Sequence, residues 1–527
     1  MIIRPQMLRL MIAFGLVATV LFATVQSTYA AKGRPAGKEN TVVLVQNLGN
    51  QPADIALDVY TPGGLLVKPA SRVTIGVAPG ATTQFPQAVN NGLVAGFRGF
   101  GVISASQPVN SIIVRDILRP TATAAKSYSL VGATADGGHT LAMPLLLNEL
   151  LTFDWNSRIS IVNVGSAPAC VVMTYYLLPN AGGSTGSNPQ TVEDNGPGCL
   201  GGAGYTVNGG SQLTFSPEPG DTNFPASTSN NQMAALAVVR NAAANNTIAA
   251  TVEIYRSDGN RLLGSYNAPV YNPDDAANDD VGTDVVLPIA MKSTSGFYTV
   301  AGIMNLGQSA ADVKITYEGQ LADGTGVSNT TEVTLPAVQK AAFHSTYQAG
   351  TNVPLGFVGS ARITSSQPLA VVEIRGKLTS SNPPGDAEPI YTAVNGVPIE
   401  RAATKWTAPL YFRRFAPGPP GTLGYNSWVQ VIVADGTTAA VTLRFAGDPT
   451  SGCPVGPYEA TFNVTGSRVF YANLDADNGF PVGQTPNCFF GGLTVTTSKP
   501  TIIINQVGAD KFPGGDSEGV SNSFPAN

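Results

Sequence analysis

Charge is scarce in this chain of 527 residues: Lys, Arg, Asp and Glu together make up 12% of it, about half the roughly 25% of a typical soluble domain. No basic run or stripe occurs, and the formal net charge is −5. Counterion-driven binding of nucleic acid needs clustered Lys and Arg, so that class is excluded. Histidine is nearly missing. His139 and His344 are the only two, with no metal-ligand spacing to each other or to a cysteine, and both are expected as surface or turn residues. There is no GxGxxG after a strand-like run and no Gly-Lys-Ser/Thr phosphate loop. Gly182-Gly-Ser-Thr-Gly186 matches G-x-S-x-G, but it lies among Pro179, Asn180, Asn188 and Pro189 with no helical pattern after it. It reads as a loop and not as a nucleophile elbow, which needs a strand before it and a helix behind it. Nothing raises any carboxylate pair above the background of 34 acids. The chain is therefore expected not to be an enzyme. Beyond Leu145 to Leu151 no window holds a 3.6-residue period, so helices are not expected either.

What is present is glycine and proline, 58 and 39 of them, within a chain that is 43% apolar. That composition can bury cores and favours strands and turns. At the N-terminus Arg4 and Arg9 precede an uncharged apolar run from Leu10 to Val25, followed by Ser27-Thr-Tyr-Ala30. These are the parts of a secretory signal peptide over 1–30, cut after Ala30. The run is short for a retained span, which needs about 20 residues, so no membrane span is expected after cleavage. An exported chain with Cys170, Cys199, Cys453 and Cys488 and no CxxC pair reads as disulfide-bonded. Of the three connectivities, Cys170–Cys199 and Cys453–Cys488 keep each bridge within one stretch of chain. Each would contribute about 3–4 kcal/mol in the chain-entropy picture.

Laid over itself, the chain repeats. Asn40 to Asn47, Asn156 to Asn163 and Tyr298 to Asn305 are strand-like runs ending in Asn, each followed by a hydrophobe and Gly: Leu48-Gly49, Val164-Gly165, Leu306-Gly307. A fourth copy, Asn426 to Val433, continues as Ala434-Asp435-Gly436. Alternating runs follow, such as Asp54 to Tyr60, Asp312 to Tyr317 and Val441 to Phe445, with the period of antiparallel strands that have one wet face. Then come Ser106-Gln107-Pro108, Ser366-Gln367-Pro368 and Ser498-Lys499-Pro500, each leading into an apolar strand; copy two has Asn241 to Asn246 there instead. Met143-Pro-Leu145, Leu287-Pro-Ile289 and Ala408-Pro-Leu410 read as opening strands of copies two to four, since proline is tolerated in an edge or first strand. Copy one has no equivalent, and an unpaired sheet edge invites a strand from another chain.

About seven short strands per copy is the rhythm of an immunoglobulin-like sandwich. The expected fold is all-β: four tandem immunoglobulin-like antiparallel β-sandwich domains over 40–119, 141–266, 284–378 and 406–508, with a polar C-terminal tail over 509–527. The intervening Tyr266 to Asp284 and Leu378 to Lys405 read as linkers. On its Asn-hydrophobe-Gly and Ser-Gln/Lys-Pro turns the mature chain resembles secreted bacterial surface proteins built from tandem immunoglobulin-like domains. That resemblance implies an exported surface or extracellular structural or adhesive protein, with protein partners or self-assembly at the cell surface. The alternative is a carbohydrate-binding protein that grips cell-wall or environmental glycan. The candidate ligand-binding residues are Trp406, the freest of three tryptophans, and Arg413 and Arg414, which head an insert unique to copy four. No cofactor is expected. Calcium is the one candidate metal, at the acidic cluster Asp274, Asp275, Asp279 and Asp280, with a weaker calcium-like loop from Asn473 to Gln484.

Overall fold

The computed structural model describes residues 38–118, 126–134, 137–149, 155–178, 190–199, 202–218, 220–228, 231–256, 261–272, 280–294, 296–321, 323–335, 341–346, 351–377, 392–415, 424–472, 488–510 and 518–525. Among them the regular structure is β-strand, apart from short 3-10 turns such as Lys68–Ala70. The strands fall into four successive units. Unit one holds β1 (Lys38–Asn47), β2 (Ala53–Tyr60), β3 (Arg72–Val77), β4 (Thr82–Pro86), β5 (Phe100–Ala105), β6 (Val109–Leu118) and β7 (Lys126–Gly132). Unit two holds β8 (Thr140–Asn148), β9 (Trp155–Asn163), β10 (Ala169–Leu177), β11 (Thr191–Asp194), β12 (Tyr205–Val207), β13 (Gln212–Phe215), β14 (Asn231–Val239), β15 (Ile248–Arg256) and β16 (Arg261–Asn267). Unit three holds β17 (Gly282–Thr294), β18 (Phe297–Asn305), β19 (Ala311–Gln320), β20 (Gly326–Leu335), β21 (Ala341–Ser345), β22 (Phe357–Lys377), β23 (Thr392–Asn395) and β24 (Val397–Pro398). Unit four holds β25 (Ala403–Arg413), β26 (Gly424–Val433), β27 (Thr438–Gly447), β28 (Tyr458–Thr465), β29 (Ser467–Tyr471), β30 (Phe489–Asp510), β31 (Glu518–Asn522) and β32 (Phe524–Pro525).

Each unit pairs two antiparallel sheets. One sheet has the same order four times: β4-β1-β6-β7, β13-β9-β15-β16, β21-β18-β22-β23 and β29-β26-β30-β31. The other runs β11-β10-β14-β8, β20-β19-β22-β17 and β28-β27-β30-β25 in units two to four, and β3-β2-β5 in unit one. Between them lies the apolar core; in unit one Val43 and Val45 of β1 meet Ile55, Leu57 and Val59 of β2. The alternation of β2 explains it, because Ile55, Leu57 and Val59 turn inward while Asp54 and Asp58 turn out. In units three and four the Ser-Gln-Pro and Ser-Lys-Pro positions do not break the chain. β22 and β30 run through them, pairing with one sheet before the proline and with the other after it.

The two repeated motifs meet. The asparagine that ends β1, β9 and β18 folds back on its own turn: its Oδ1 accepts from the N–H of Gly49, Gly165 and Gly307 at 2.8, 2.9 and 2.9 Å. Its Nδ2 donates to the carbonyls of Gln51, Ala167 and Ser309, each at 2.8 Å. The next residue, Leu48, Leu306 or Ala434, donates its N–H to Pro108, Pro368 or Pro500 at 2.8, 2.9 and 3.0 Å; in unit two Val164 donates to Thr247 at 3.0 Å. The glycine is required because the motif opposite comes so close. A Cβ at Gly49 or Gly307 would stand 2.9 Å from the Cβ of Gln107 or Gln367, and one at Gly165 2.2 Å from the Asn245 carbonyl oxygen. Ser106, Ser366 and Ser498 accept through Oγ from Asp54, Asp312 and Ala440, and in unit two Asn241 Oδ1 does so from Cys170 at 2.8 Å. The odd segment of copy two thus makes the same bonds with different residues.

The proline of each opening strand sits at a register shift: between Leu146 and Met143, between Leu287 and Ala290, and between Ala408 and Tyr411. A bulge is where a residue without an N–H costs the ladder least.

The four units close into a ring. β7, β16, β23 and β31 each add to the long strand before them and pack in the cycle β7–β16–β23–β31–β7. Ser129 and Ser265 share a hydroxyl bond, Asn267 Nδ2 donates to the Gly132 carbonyl at 2.7 Å, and Asn395 Nδ2 donates to the Asn267 carbonyl at 2.9 Å. Arg375 Nη1 donates to Gln506 Oε1 at 2.7 Å between units three and four. Two sequence expectations change here. The stretch after Leu378 contains the ring-forming β23 as well as connections, and the polar tail holds β31 and β32, which pair with β30 and β25. Short segments rich in turn residues read as loops, but small groups stand where ring strands meet: Ser129 on Ser265, and Gly264 against Thr392 and Ala393.

Candidate functional site

The two bridges join Cys170 to Cys199 and Cys453 to Cys488, with Cα atoms 5.7 and 5.4 Å apart, as the local pairing requires. Trp406 is not free. It is 1% exposed, and its Nε1 donates to the carbonyls of Ala403 and Thr501 at 3.0 and 2.8 Å. The strand starts three residues before it, at Ala403, so alternation turns the indole into the core instead of toward a sugar. Arg413 is buried beside Tyr411, and Arg414 takes a positive φ with its N–H on Asn426 Oδ1, at the start of the insert whose tip, 416–420, lies outside the described residues. The binding loop expected there begins as packed structure. Asp274, Asp275 and Asp279 also lie outside the described residues, as do Gly182 to Gly186 and Asn473 to Gln484. Asp280 is described, and its carboxylate holds Arg401 Nη1 at 2.7 Å and the Val270 N–H at 3.2 Å. It staples β17's approach to the turn before β25. Among the described residues no cluster of His, Cys, Asp and Glu has the form of a metal site.

His139 is a turn residue bonded to the Ala243 carbonyl at 2.8 Å, as expected. His344 is not: it is buried in β21, and neither ring nitrogen meets a partner among the described residues. Burial pushes it down to about 4, so it is neutral at pH 7. Its ring lies 6.4 Å from that of Tyr317. Across the sheet Ala301 separates it from Glu373, whose register neighbour Ala301 also is. Burial pushes Glu373 up to about 8, against the pull of Arg375 and of the Ile289 N–H. This is an acid–base trio, but it is sealed inside unit three.

A second charged group lies between units one and two. Arg115 meets Glu253; Arg158 lies 3.8 Å from Glu253 and 3.4 Å from Asp221; Arg98 lies 3.7 Å from Asp221 and 2.9 Å from Glu218. Three guanidinium groups alternate with three carboxylates, so the ladder is neutral and spans the seam.

Exposed hydrocarbon on the described residues concentrates in unit one, on its short sheet and the connections beside it. Of ten large apolar side chains exposed on the described residues, seven belong to this unit: Leu65, Leu66, Val73, Ile75, Val89, Val94 and Val102. Val73 stands across from Ala56 and Val102 across from Asp58, on the face turned away from the core. Tyr60 and Phe100 stack on that face with centroids 5.4 Å apart. Concentrated exposed hydrocarbon of this kind marks interaction surfaces.

No described helix is long and apolar enough to cross a membrane. The sequence matches no family profile and no curated protein. Among solved structures, a Salmonella alpha-2-macroglobulin reacted with methylamine shows 8% identity and a TM-score of 0.11 over 96% of this chain, which spans 40% of that one's length. A likeness so slight carries no argument.

Proposed function

We propose that the protein is an exported, non-enzymatic structural or adhesive component of a cell surface or extracellular layer, of the kind its repeats resemble. The observation that carries this reading is the frame of four like units in which, among the described residues, exposed hydrocarbon concentrates on unit one. A frame braced by two disulfides suits an oxidising compartment. Its partners are proteins, or further copies of itself. The burial of Trp406 takes away the residue on which glycan recognition leaned. The test is to fractionate native cells, sequence the N-terminus of the mature chain and label intact cells with antibody for electron microscopy. Export with cleavage after Ala30 and ordered labelling of a surface layer or fibre is the expected result. A cytoplasmic, uncleaved chain would overturn the proposal.

A further inference from the structure

The core-facing rows of the outer sheets can be compared across units. In unit two Met173, Ala237 and Leu141 stand side by side on β10, β14 and β8. In unit three the row is Ile315, Ile363 and Val285; in unit four it is Leu443, Val495 and Trp406. In unit one the row is Leu57 and Ile103, and there it stops. The middle residues Ala237, Ile363 and Val495 are at most 1% exposed, whereas Ile103 is half-buried and the adjacent Gly101 is open to solvent. Among the described residues nothing pairs with the outer edge of β5.

That edge is also unguarded. Native edges are blunted by charge or covered: Arg72 stands on β3, Glu193 and Asp194 on β11, Glu332 on β20 and Glu459 on β28, while β8, β17 and β25 are covered by main-chain pairing with Val270, β24 and β32. Phe100 to Ala105 carries no charge and no proline.

Building on the structural reading above, we infer that β5 is a strand-acceptor site, filled by an extended segment of another polypeptide. The three sister slots state the chemistry of the occupant. It runs antiparallel to the acceptor, is uncharged through its middle, and turns a large apolar side chain inward where Leu141, Val285 and Trp406 stand. Main-chain bonds would supply affinity and the inward side chain selectivity. With the segment 1–30 cleaved as proposed above, the residues left before Lys38 do not fit this description. From Ala31 to Gly37 they offer no apolar side chain larger than proline.

The probe is a fluorescent peptide copying residues 403–411, titrated into the full mature protein. Saturable binding is expected, together with a rise in melting temperature as peptide is added. The double variant Val102→Lys, Ser104→Lys places charges on two exposed edge positions. It should keep the parent's circular dichroism and melting temperature and lose affinity about tenfold or more. Four results would overturn the inference: no saturable binding, equal binding by the variant, binding only after residues 31–37 are removed, or a parent dimer that the variant abolishes while the peptide goes unbound. The third would assign the slot to the chain's own N-terminus and the fourth to a second copy. A surface-localised protein that ignores the peptide would sink the acceptor site and leave the structural reading standing.

Discussion

Two seams of the ring are built from opposite materials. Units one and two meet through the ladder Arg115, Glu253, Arg158, Asp221, Arg98 and Glu218. Units four and one meet through Leu44, Ile112 and Leu130 against Leu410, Phe490 and Val507, with the rings of Phe412, Phe415 and Phe490 stacked at 5.0–5.3 Å. Hydrocarbon gives more free energy, roughly 1.5–3 kcal/mol for each large side chain buried. Paired charges return little net stability, because desolvation offsets attraction, but they reject wrong partners and wrong registers. The strong seam joins units distant in sequence. The seam between neighbours, whose local concentration the chain already supplies, relies on matching.

The largest effect should come from breaking the apolar seam. Phe490→Ala removes the ring shared by both stacks and is expected to cost about 3–5 kcal/mol, read as a fall in urea midpoint. A cost below about 1 kcal/mol would mean that this seam does not hold the ring. Next is Arg158→Met, which leaves Asp221 and Glu253 facing each other without their shared cation. About 2–3 kcal/mol is expected, less than for a fully buried pair because both carboxylates keep some water. If replacing all six ladder residues with apolar ones of similar volume proved as costly as the single change, the specificity argument would fail.

The seam between units three and four mixes both materials, with Arg375 on Gln506 beside Ile289, Val394 and Ile504. Behind this seam, inside unit three, two buried groups respond to pH in opposite directions. Glu373 is raised from 4.5 to about 8, so the folded protein holds a proton that the unfolded chain releases. Its contribution is whole below pH 4.5 and is lost as pH climbs toward 8. His344, lowered from 6.5 to about 4, works the other way, adding stability between pH 4 and 6.5. Glu373→Gln should therefore melt higher than the parent at pH 8, by of order 1–3 kcal/mol in stability, with the gain vanishing near pH 5. A constant difference across that range would show that the carboxyl does not titrate there. The smallest effect is that of salt. Raising ionic strength from about 0.1 to 1 M should weaken Arg98–Glu218 by less than about 1 kcal/mol, since the guanidinium is one-third exposed, and should leave Phe490→Ala unaltered.

Much of the single unit was legible in the sequence, because it rests on local chemistry. Asn47, Asn163 and Asn305 end strands in turns that need glycine next but one, and Pro144, Pro288 and Pro409 mark bulged opening strands; each leaves a fixed pattern. The ring was not legible. Lys126–Gly132, Arg261–Asn267, Thr392–Asn395 and Glu518–Asn522 share no motif, and the bonds that join the first three run through scattered residues, Ser129 with Ser265 and Asn395 with Asn267. Trp406 was misjudged by three residues of strand, enough to fix which way alternation sends an indole. His344 sits on a short strand with no periodic signal. The missing opening strand of copy one was visible as a gap, and its meaning came from the buried rows of the other three.

Ring closure by β31 has a temporal consequence. A chain synthesised from its N-terminus presents unit one first, yet β31, which packs against β7 to close the ring, is encoded by Glu518–Asn522. The apolar partners of Leu44, Ile112 and Leu130 also come late, at Leu410, Phe490 and Val507. The emerging protein must therefore spend its slowest, most aggregation-prone interval as an open arc, and loop closure over hundreds of residues becomes the step that ends it.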